Sequence, residues 1–285
     1  MRTIGYESEF FDPAATLGCG QVFRYFPAGE EGTLVLSAER ACLLRREGDR
    51  TFLSAEEGDF AYFERYFDLS RNYADIYARV CATKIERLRE AAAFGKGIRI
   101  LNQDPAETIL SFILSQNNNI PRIRAILSRL CEALGEARTA CGHAYFSFPR
   151  VQALAERGEA FYLSIGCGYR ARYLAQTARL LAEEGTERLA ALPAPQLREA
   201  LLRLPGVGPK VADCILLFAF HRTEAFPVDT WVEKAYRSLG GTLRGREKIA
   251  ASLAEKFGDL GGYVQQYLFY FEREGGRKDG IHHDR

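Results

Sequence analysis

The sequence predicts an α+β protein, an N-terminal antiparallel β-sheet domain followed by a mostly α-helical region built around a helix–hairpin–helix. Three observations predict it. Short apolar or partly alternating runs fill residues 32–56. From about residue 58 the apolar spacing changes to three and four residues and holds to about residue 273. Within the helical part, LPGVGPKVADC (204–214) sets a Gly-x-Gly turn between two apolar helical faces. A period of two marks half-buried strands, and a period near 3.6 marks amphipathic helices.

In chain order, GTLVLSAE (32–39), RACLLRR (40–46) and RTFLSAE (50–56) read as strands, with EGD (47–49) as a hairpin turn. DFAYFERYFDLS and IYARVCATKIERLREAAAF read as helices. GKGIRI (95–100) breaks that pattern. The expected division is therefore 1–95 for the β-rich domain with flanking helices and 96–273 for the helical region, with a disordered tail over 274–285. DPAETILSFILSQ (104–116) starts with Asp104 as N-cap and Pro105 at the first helical position. Its middle is apolar nearly all round, which predicts a buried helix. NNN (117–119) stops it, because asparagine tolerates left-handed backbone. Further helices are expected near 121–134, 151–156, 158–164, 169–184, 195–203, 209–220, 230–238, 246–256 and 261–273.

Bulk properties narrow the classes. The chain has 285 residues, 47% hydrophobic and 26% charged, as expected of a globular protein of one large or two modest domains. Its net charge is +1, so a nucleic-acid partner would need a local basic face. No run reaches membrane-span length, and the N-terminus lacks the apolar core of a secretory signal. Seven cysteines, an odd number with no Cys-x-x-Cys pair, speak against a disulfide framework, a zinc ribbon and an iron–sulfur cluster. With four histidines, two of them in the tail, a histidine metal site or a serine–histidine triad is disfavoured.

The glycine turn carries the chemistry. Leu197, Ala200, Leu201 and Leu204 share a face before it, and Val211, Cys214, Ile215 and Phe218 share one after it. A phosphate-binding P-loop needs glycine before its lysine and Ser or Thr after it, and here Pro209 precedes Lys210 and Val211 follows. A dinucleotide fingerprint needs a preceding strand and a third glycine, and Val211 holds that place. Gly206 and Gly208 permit positive φ and let backbone amides face outward. Bare amides at a helix start suit a backbone phosphate of nucleic acid, although a ligand-free αα-hairpin fits the same residues. Lys210 stands one residue inside this helix end beside an apolar surface, a setting that suits an amine nucleophile. On these residues alone a lysine that only touches phosphate stays open. Asp229 follows as N-cap of the next helix; contact with Lys210 requires the loop between them to double back.

LPGVGPKVADC followed by PVD resembles the helix–hairpin–helix and aspartate signature of the DNA glycosylase superfamily, although the loop HRTEAFPVD is short of glycine. CGQVFRY (19–25), LSQNNNIPRI (114–123), GCGYRARYL (166–174) and YVQQYLF (263–269) resemble, in the same order, segments of its eukaryotic-type 8-oxoguanine DNA glycosylase/AP lyase branch. The resemblance implies that Lys210 attacks C1′ and forms an imine, and that Asp229 stabilises the cationic sugar. It implies that the Gly20 carbonyl accepts from N7–H of oxidised guanine, that Phe269 and Cys214 sandwich the flipped base, and that Gln265 reads its edge, with Gln21, Phe23 and Arg24 supporting the Gly20 loop. Asn117 would fill the gap in the duplex, Tyr169 would wedge beside the orphaned cytosine, Arg122 and Arg170 would hydrogen-bond to it, and Gly206 and Gly208 would present backbone to phosphate. Trp231 stands where better-known eukaryotic members carry a phosphate-contacting histidine.

The implied partner is double-stranded DNA holding oxidised guanine opposite cytosine, with no membrane. No organic cofactor is required, and a monovalent cation on the hairpin carbonyls is compatible with the family. A compact, monomeric, prokaryotic-like version is expected, cytoplasmic on the nucleoid, or nuclear if the source is eukaryotic. The alternatives are a glycosylase for another damaged purine and a non-catalytic damage-binding protein.

Overall fold

Strands β1 (Arg2–Glu7), β2 (Tyr25–Pro27), β3 (Thr33–Ser37), β4 (Arg40–Glu47) and β5 (Arg50–Ala55) form one antiparallel sheet in the order β1-β5-β4-β3-β2. The structure, a computed structural model, describes residues 1–275. The three expected strands are its centre. The periodicity did not predict β1 and β2, for a physical reason: both are edge strands with no fully buried residue, so neither carries an apolar alternation. Between β4 and β5, Glu47 pairs with Arg50 and Gly48 takes φ 58°, the geometry of a type II′ turn, which places glycine first.

Both faces of the sheet are covered. On one, Val35, Cys42, Leu44 and Leu53 pack with Leu17 of α1 (Pro13–Gly18), with Phe60, Phe63 and Tyr66 of α2 (Glu57–Tyr66), and with Phe67. On the other, Leu34, Leu36, Ala41 and Leu43 pack against Ala140 and Cys141. Those two belong to a hairpin, β6 (Ala137–Ala140) and β7 (His143–Phe146), that sequence reading did not find. Its strands, ARTA and HAYF, are short and have one fully buried residue between them, so local pattern gives no sign of them.

The helices are α3 (Tyr73–Cys81), α4 (Glu86–Phe94), α5 (Pro105–Ser115), α6 (Ile120–Leu134), α7 (Val151–Ala155), α8 (Glu159–Ser164), α9 (Ala171–Glu184), α10 (Thr186–Ala190), α11 (Ala194–Leu202), α12 (Pro209–Ala219), α13 (Thr230–Ser238), α14 (Arg246–Phe257) and α15 (Gly261–Tyr270). Asp104 caps α5 through the Glu107 amide, and nine of the helix's residues from Ala106 to Leu114 are buried, as its apolar circumference predicted. α12 packs against α5, with Phe112 and Phe218 stacked at 5.5 Å. The last expected helix, 261–273, stops at Tyr270 and widens into a π-type turn over Phe271–Gly275. Glu274 and Gly275, expected in the tail, belong to that turn; 276–285 lie outside the described residues. Among the described residues no helix is long and apolar enough to cross a membrane.

Two buried polar ties lock the sheet to the helices that hold the site. Glu107 of α5 accepts from Arg24 Nη1 at 3.0 Å and from the Ala38 amide at 2.8 Å. Burial pushes its carboxyl up, and Arg24 opposes that shift. Gln21 donates to the Thr16 and Arg99 carbonyls at 2.9 and 2.7 Å, and accepts from the Leu101 amide at 2.9 Å. The segment after α1, which carries Gly20, is thereby fixed to the stretch leading into α5. Phe23 packs on Phe112 at 5.8 Å, so the three expected supports of Gly20 all lie at this junction.

Candidate active site and DNA-facing surface

The first turns of α12 and α13, the inner face of α15 and the loop after α1 meet at a cleft. It is lined by Gly20, Lys210, Cys214, Asp229, Gln265 and Phe269, together with Cys19, Phe112, Phe218, Pro227 and Gln266. Lys210 and Asp229 are brought together because the loop after α12 doubles back. It buries Ala225, Phe226, Pro227 and Val228, and Thr223 accepts the Gly262 amide at 2.7 Å. Asp229 caps α13 by accepting from the Val232 amide at 2.9 Å.

Within the cleft, Lys210 Nζ lies 5.7 Å from the Phe112 ring centroid. One helical turn on, burial pushes the Cys214 thiol up to about 11, with Lys210 pulling the other way, so it is a neutral surface at pH 7. Gln265 is 5% exposed, and its Oε1 has no hydrogen-bond partner among the described residues. An unpaired buried acceptor costs about 1–3 kcal/mol, so the site is built for a donor. Gly20 takes φ 80°, and a Cβ there would lie 3.3 Å from Phe269 Cε1. The cleft is small, about 40 Å³.

A second group of residues faces outward. Asn117, at the joint of α5 and α6, is exposed with φ 46°, the left-handed backbone expected of it. Its neighbours hold the joint: Asn118 donates to the Leu114 carbonyl at 3.1 Å, and Asn119 caps α6 through the Arg122 amide at 2.9 Å. Arg122 is exposed, and Tyr169 is 57% exposed. Arg170 is different. It is 3% exposed, and its guanidinium donates to the carbonyls of Gln116, Asn117 and Cys167. Through these bonds it shapes the Asn117 joint.

The hairpin shows one glycine doing what was expected and one doing something else. Gly206 has φ 82°, and a Cβ would press within 2.8 Å of Tyr173. Gly208 has φ −91°, not the positive value anticipated; it offers open space, with nothing within 4 Å of an added Cβ. No side chain caps α12, so its first amides are open to an anion. Gln116, which sequence reasoning passed over, donates to the Gly206 carbonyl at 2.6 Å. Trp231 sits exposed on α13, with Lys234 Nζ 5.7 Å from its ring. Among the described residues no three His, Cys, Asp or Glu side chains cluster to hold a metal. The Leu204, Pro205 and Gly206 carbonyls accept from the Val207 amide, the Thr177 hydroxyl and the Gln116 side chain.

An uncapped hairpin beside a lysine and a capping aspartate, on this α+β frame, defines a helix–hairpin–helix DNA glycosylase. Residues 3–109 match the model described as 8-oxoguanine DNA glycosylase, N-terminal domain, and residues 110–258 match that of the HhH-GPD superfamily base excision DNA repair protein. The chain belongs to this base excision repair superfamily, in its 8-oxoguanine DNA glycosylase branch. A probable N-glycosylase/DNA lyase of Methanothermobacter thermautotrophicus is 33% identical over 76% of this chain and 76% of its own length. The N-glycosylase/DNA lyase OGG1 of Arabidopsis thaliana is 32% identical over 90% of this chain and 76% of its own. The 8-oxoguanine glycosylase/lyase of Clostridium acetobutylicum, solved with duplex DNA containing cytosine opposite 8-oxoguanine, superimposes with a TM-score of 0.89. It is 35% identical, covering 97% of this chain and 99% of that one.

Proposed function

We propose that the chain excises 8-oxoguanine lying opposite cytosine in duplex DNA and then cuts the abasic strand by β-elimination. The observation that carries this is the cleft itself, where an amine, a carboxylate, an aromatic ring, a neutral thiol and an unpaired amide oxygen surround one small space.

Each residue has a role its chemistry suits. The Lys210 amine attacks C1′; the C1′–N9 bond breaks, and its electron pair leaves with the base, which takes up a proton. Asp229 stabilises the positive charge that builds on the sugar. The C1′–O4′ bond then opens, O4′ taking up a proton and the lysine nitrogen giving one up, which leaves an imine on Lys210 that acidifies C2′; loss of the C2′ proton expels the 3′ phosphate, and water hydrolyses the imine to free the lysine. The flipped base stacks between Phe269 and Cys214, Gln265 Oε1 accepts from its Watson–Crick edge, and the Gly20 carbonyl accepts the N7–H that guanine lacks. Asn117 and Tyr169 occupy the opened duplex, Arg122 and Arg170 serve the orphaned cytosine, and the hairpin at Gly206 and Gly208 holds a phosphate without reading sequence. The same proposal divides the chain at residues 95 and 96, and assigns no step to a cation or organic cofactor.

The test is a panel of duplexes bearing 8-oxoguanine, an alkylated purine or an abasic site, with borohydride present. A covalent complex is expected with the 8-oxoguanine duplex, and Lys210→Gln is expected to bind that duplex without forming it. Trapping that persists in Lys210→Gln removes the lysine from its role. Excision confined to the alkylated purine removes the substrate.

A further inference from the structure

The π-type turn after α15 holds Glu272 and Arg273, charged side chains that take part in neither the chemistry nor the DNA contacts above. Glu272 is 5% exposed; it accepts from Arg87 of α4, Nε at 3.1 Å, and lies 3.6 Å from Lys234 Nζ of α13. That pins the turn to two helices. The next residue, Arg273, reaches the other way. Its Nη2 donates to the Gly18 carbonyl at the end of α1, and its Nε donates to Glu274 at 2.9 Å. Its Cζ stands 4.9 Å from the Phe269 ring centroid, and its Nη1 is 2.9 Å from the position a Gly20 Cβ would take. Arg273 is not among the residues that line the cleft.

We infer that Arg273 is a positioning residue for lesion recognition: its guanidinium braces Phe269 against the Gly18–Gly20 segment and so sets the geometry of the base slot. The inference rests on the function proposed above. Phe269 and Gly20 lie on elements far apart in the chain, and nothing covalent fixes their separation. A guanidinium's planar fork can lie against a ring while its edge donates to a carbonyl, a geometry that the point charge of a lysine ammonium matches less well. The lesion differs from guanine at N7 and C8, so selection depends on where one backbone carbonyl sits relative to one ring. An error of about 1 Å in such a placement costs up to about 100-fold in rate. The wide turn suits this use, because π-type turns re-aim consecutive side chains and occur at functional sites.

Single-turnover excision of 8-oxoguanine opposite cytosine is compared with β-elimination on a preformed abasic duplex, for the wild type, Arg273→Ala and Arg273→Lys. β-Elimination needs Lys210 but no base in the slot, so it reports a folded site. The expected result is an excision-to-elimination ratio about 10- to 100-fold lower in Arg273→Ala, with Arg273→Lys between it and wild type. A ratio within about twofold of wild type overturns the brace, and so does a parallel fall of both activities. A wild type that cuts the abasic duplex but leaves 8-oxoguanine in place sinks instead the substrate reading on which the brace stands.

Discussion

The Gln116 side-chain amide donates to the Gly206 carbonyl at 2.6 Å, tying the end of α5 to the hairpin. Its own backbone carbonyl accepts from the Tyr169 hydroxyl at 3.2 Å and from Arg170 Nε at 2.7 Å. One residue thus joins three segments of the proposed DNA surface: the Asn117 joint, the Tyr169–Arg170 turn and the glycine hairpin. Gln116→Ala removes the side-chain link and leaves the backbone ones. One lost hydrogen bond of this kind is worth about 1 kcal/mol, so duplex affinity is expected to fall by roughly fivefold. Fluorescence anisotropy at fixed salt measures this, and the fall should be similar on damaged and undamaged duplexes, since the contact proposed for the hairpin is to phosphate. A loss confined to the damaged duplex would place Gln116 in base recognition instead.

Gln21 is 0% exposed, and its side chain bonds to two carbonyls and one amide. Gln21→Ala leaves the Thr16 and Arg99 carbonyls and the Leu101 amide without this partner in a closed interior. The Thr16 carbonyl still accepts from Cys19 Sγ, so two groups lose their partner; at about 1–3 kcal/mol each, a loss of about 2–6 kcal/mol is expected in urea unfolding. Excision should drop further than abasic-strand cleavage, because the released segment carries Gly20. Wild-type stability in this variant would mean that water replaces all three bonds.

What could be read from the sequence follows what is local. Asp104 and Asp229 cap helices because a cap is a relation over three residues, visible as a residue type before an apolar period. The glycine hairpin was legible for the same reason. The β6–β7 hairpin was not: its partly exposed residues have no period, and it is held by the far side of the sheet. Gln116 and Arg273 stayed invisible because their meaning lies in contacts with Gly206 and Gly18, which no spacing records. Arg170 is expected at the orphaned base by resemblance; its bonds to the Gln116 and Asn117 carbonyls, which tie it to the Asn117 joint, are long-range contacts that no spacing records. The pairing of Lys210 with Asp229 depended on a loop reversal that caps and periods do not predict.

His221 gives a pH-dependent stability. It takes φ 51° at the end of α12, with its Nε2 3.3 Å from the Ile100 carbonyl and 3.4 Å from Asp68 Oδ2. Burial lowers its pKa, outweighing the nearby Asp68 carboxylate that raises it, and Arg71 adds to the lowering. The unfolded chain, with the histidine near its ordinary value of about 6.5, then binds the proton more readily than the folded one. The stabilisation is present above about pH 6.5 and is lost as pH falls through the lowered folded value. The urea midpoint of the wild type should therefore decline toward pH 5 by more than that of His221→Gln. Equal declines would mean that other groups carry the acid sensitivity.

Asp229 has two separable jobs, and one substitution divides them. Its Oδ1 caps α13 at the Val232 amide, and the residue also lines the cleft beside Lys210. Asparagine caps a helix about as well as aspartate, while alanine forfeits about 1 kcal/mol. Asp229→Asn keeps the acceptor and removes the charge, so its melting temperature should match wild type while excision falls by about 100-fold or more, the scale for losing one preorganised electrostatic partner of a developing charge. Asp229→Ala should lose both, melting a few degrees lower with a similar fall in rate. Single-turnover kinetics and thermal melts on the same preparations separate the two effects. If Asp229→Asn excises at the wild-type rate, the carboxylate is a cap alone, and the charge that steadies the sugar must come from elsewhere in the cleft.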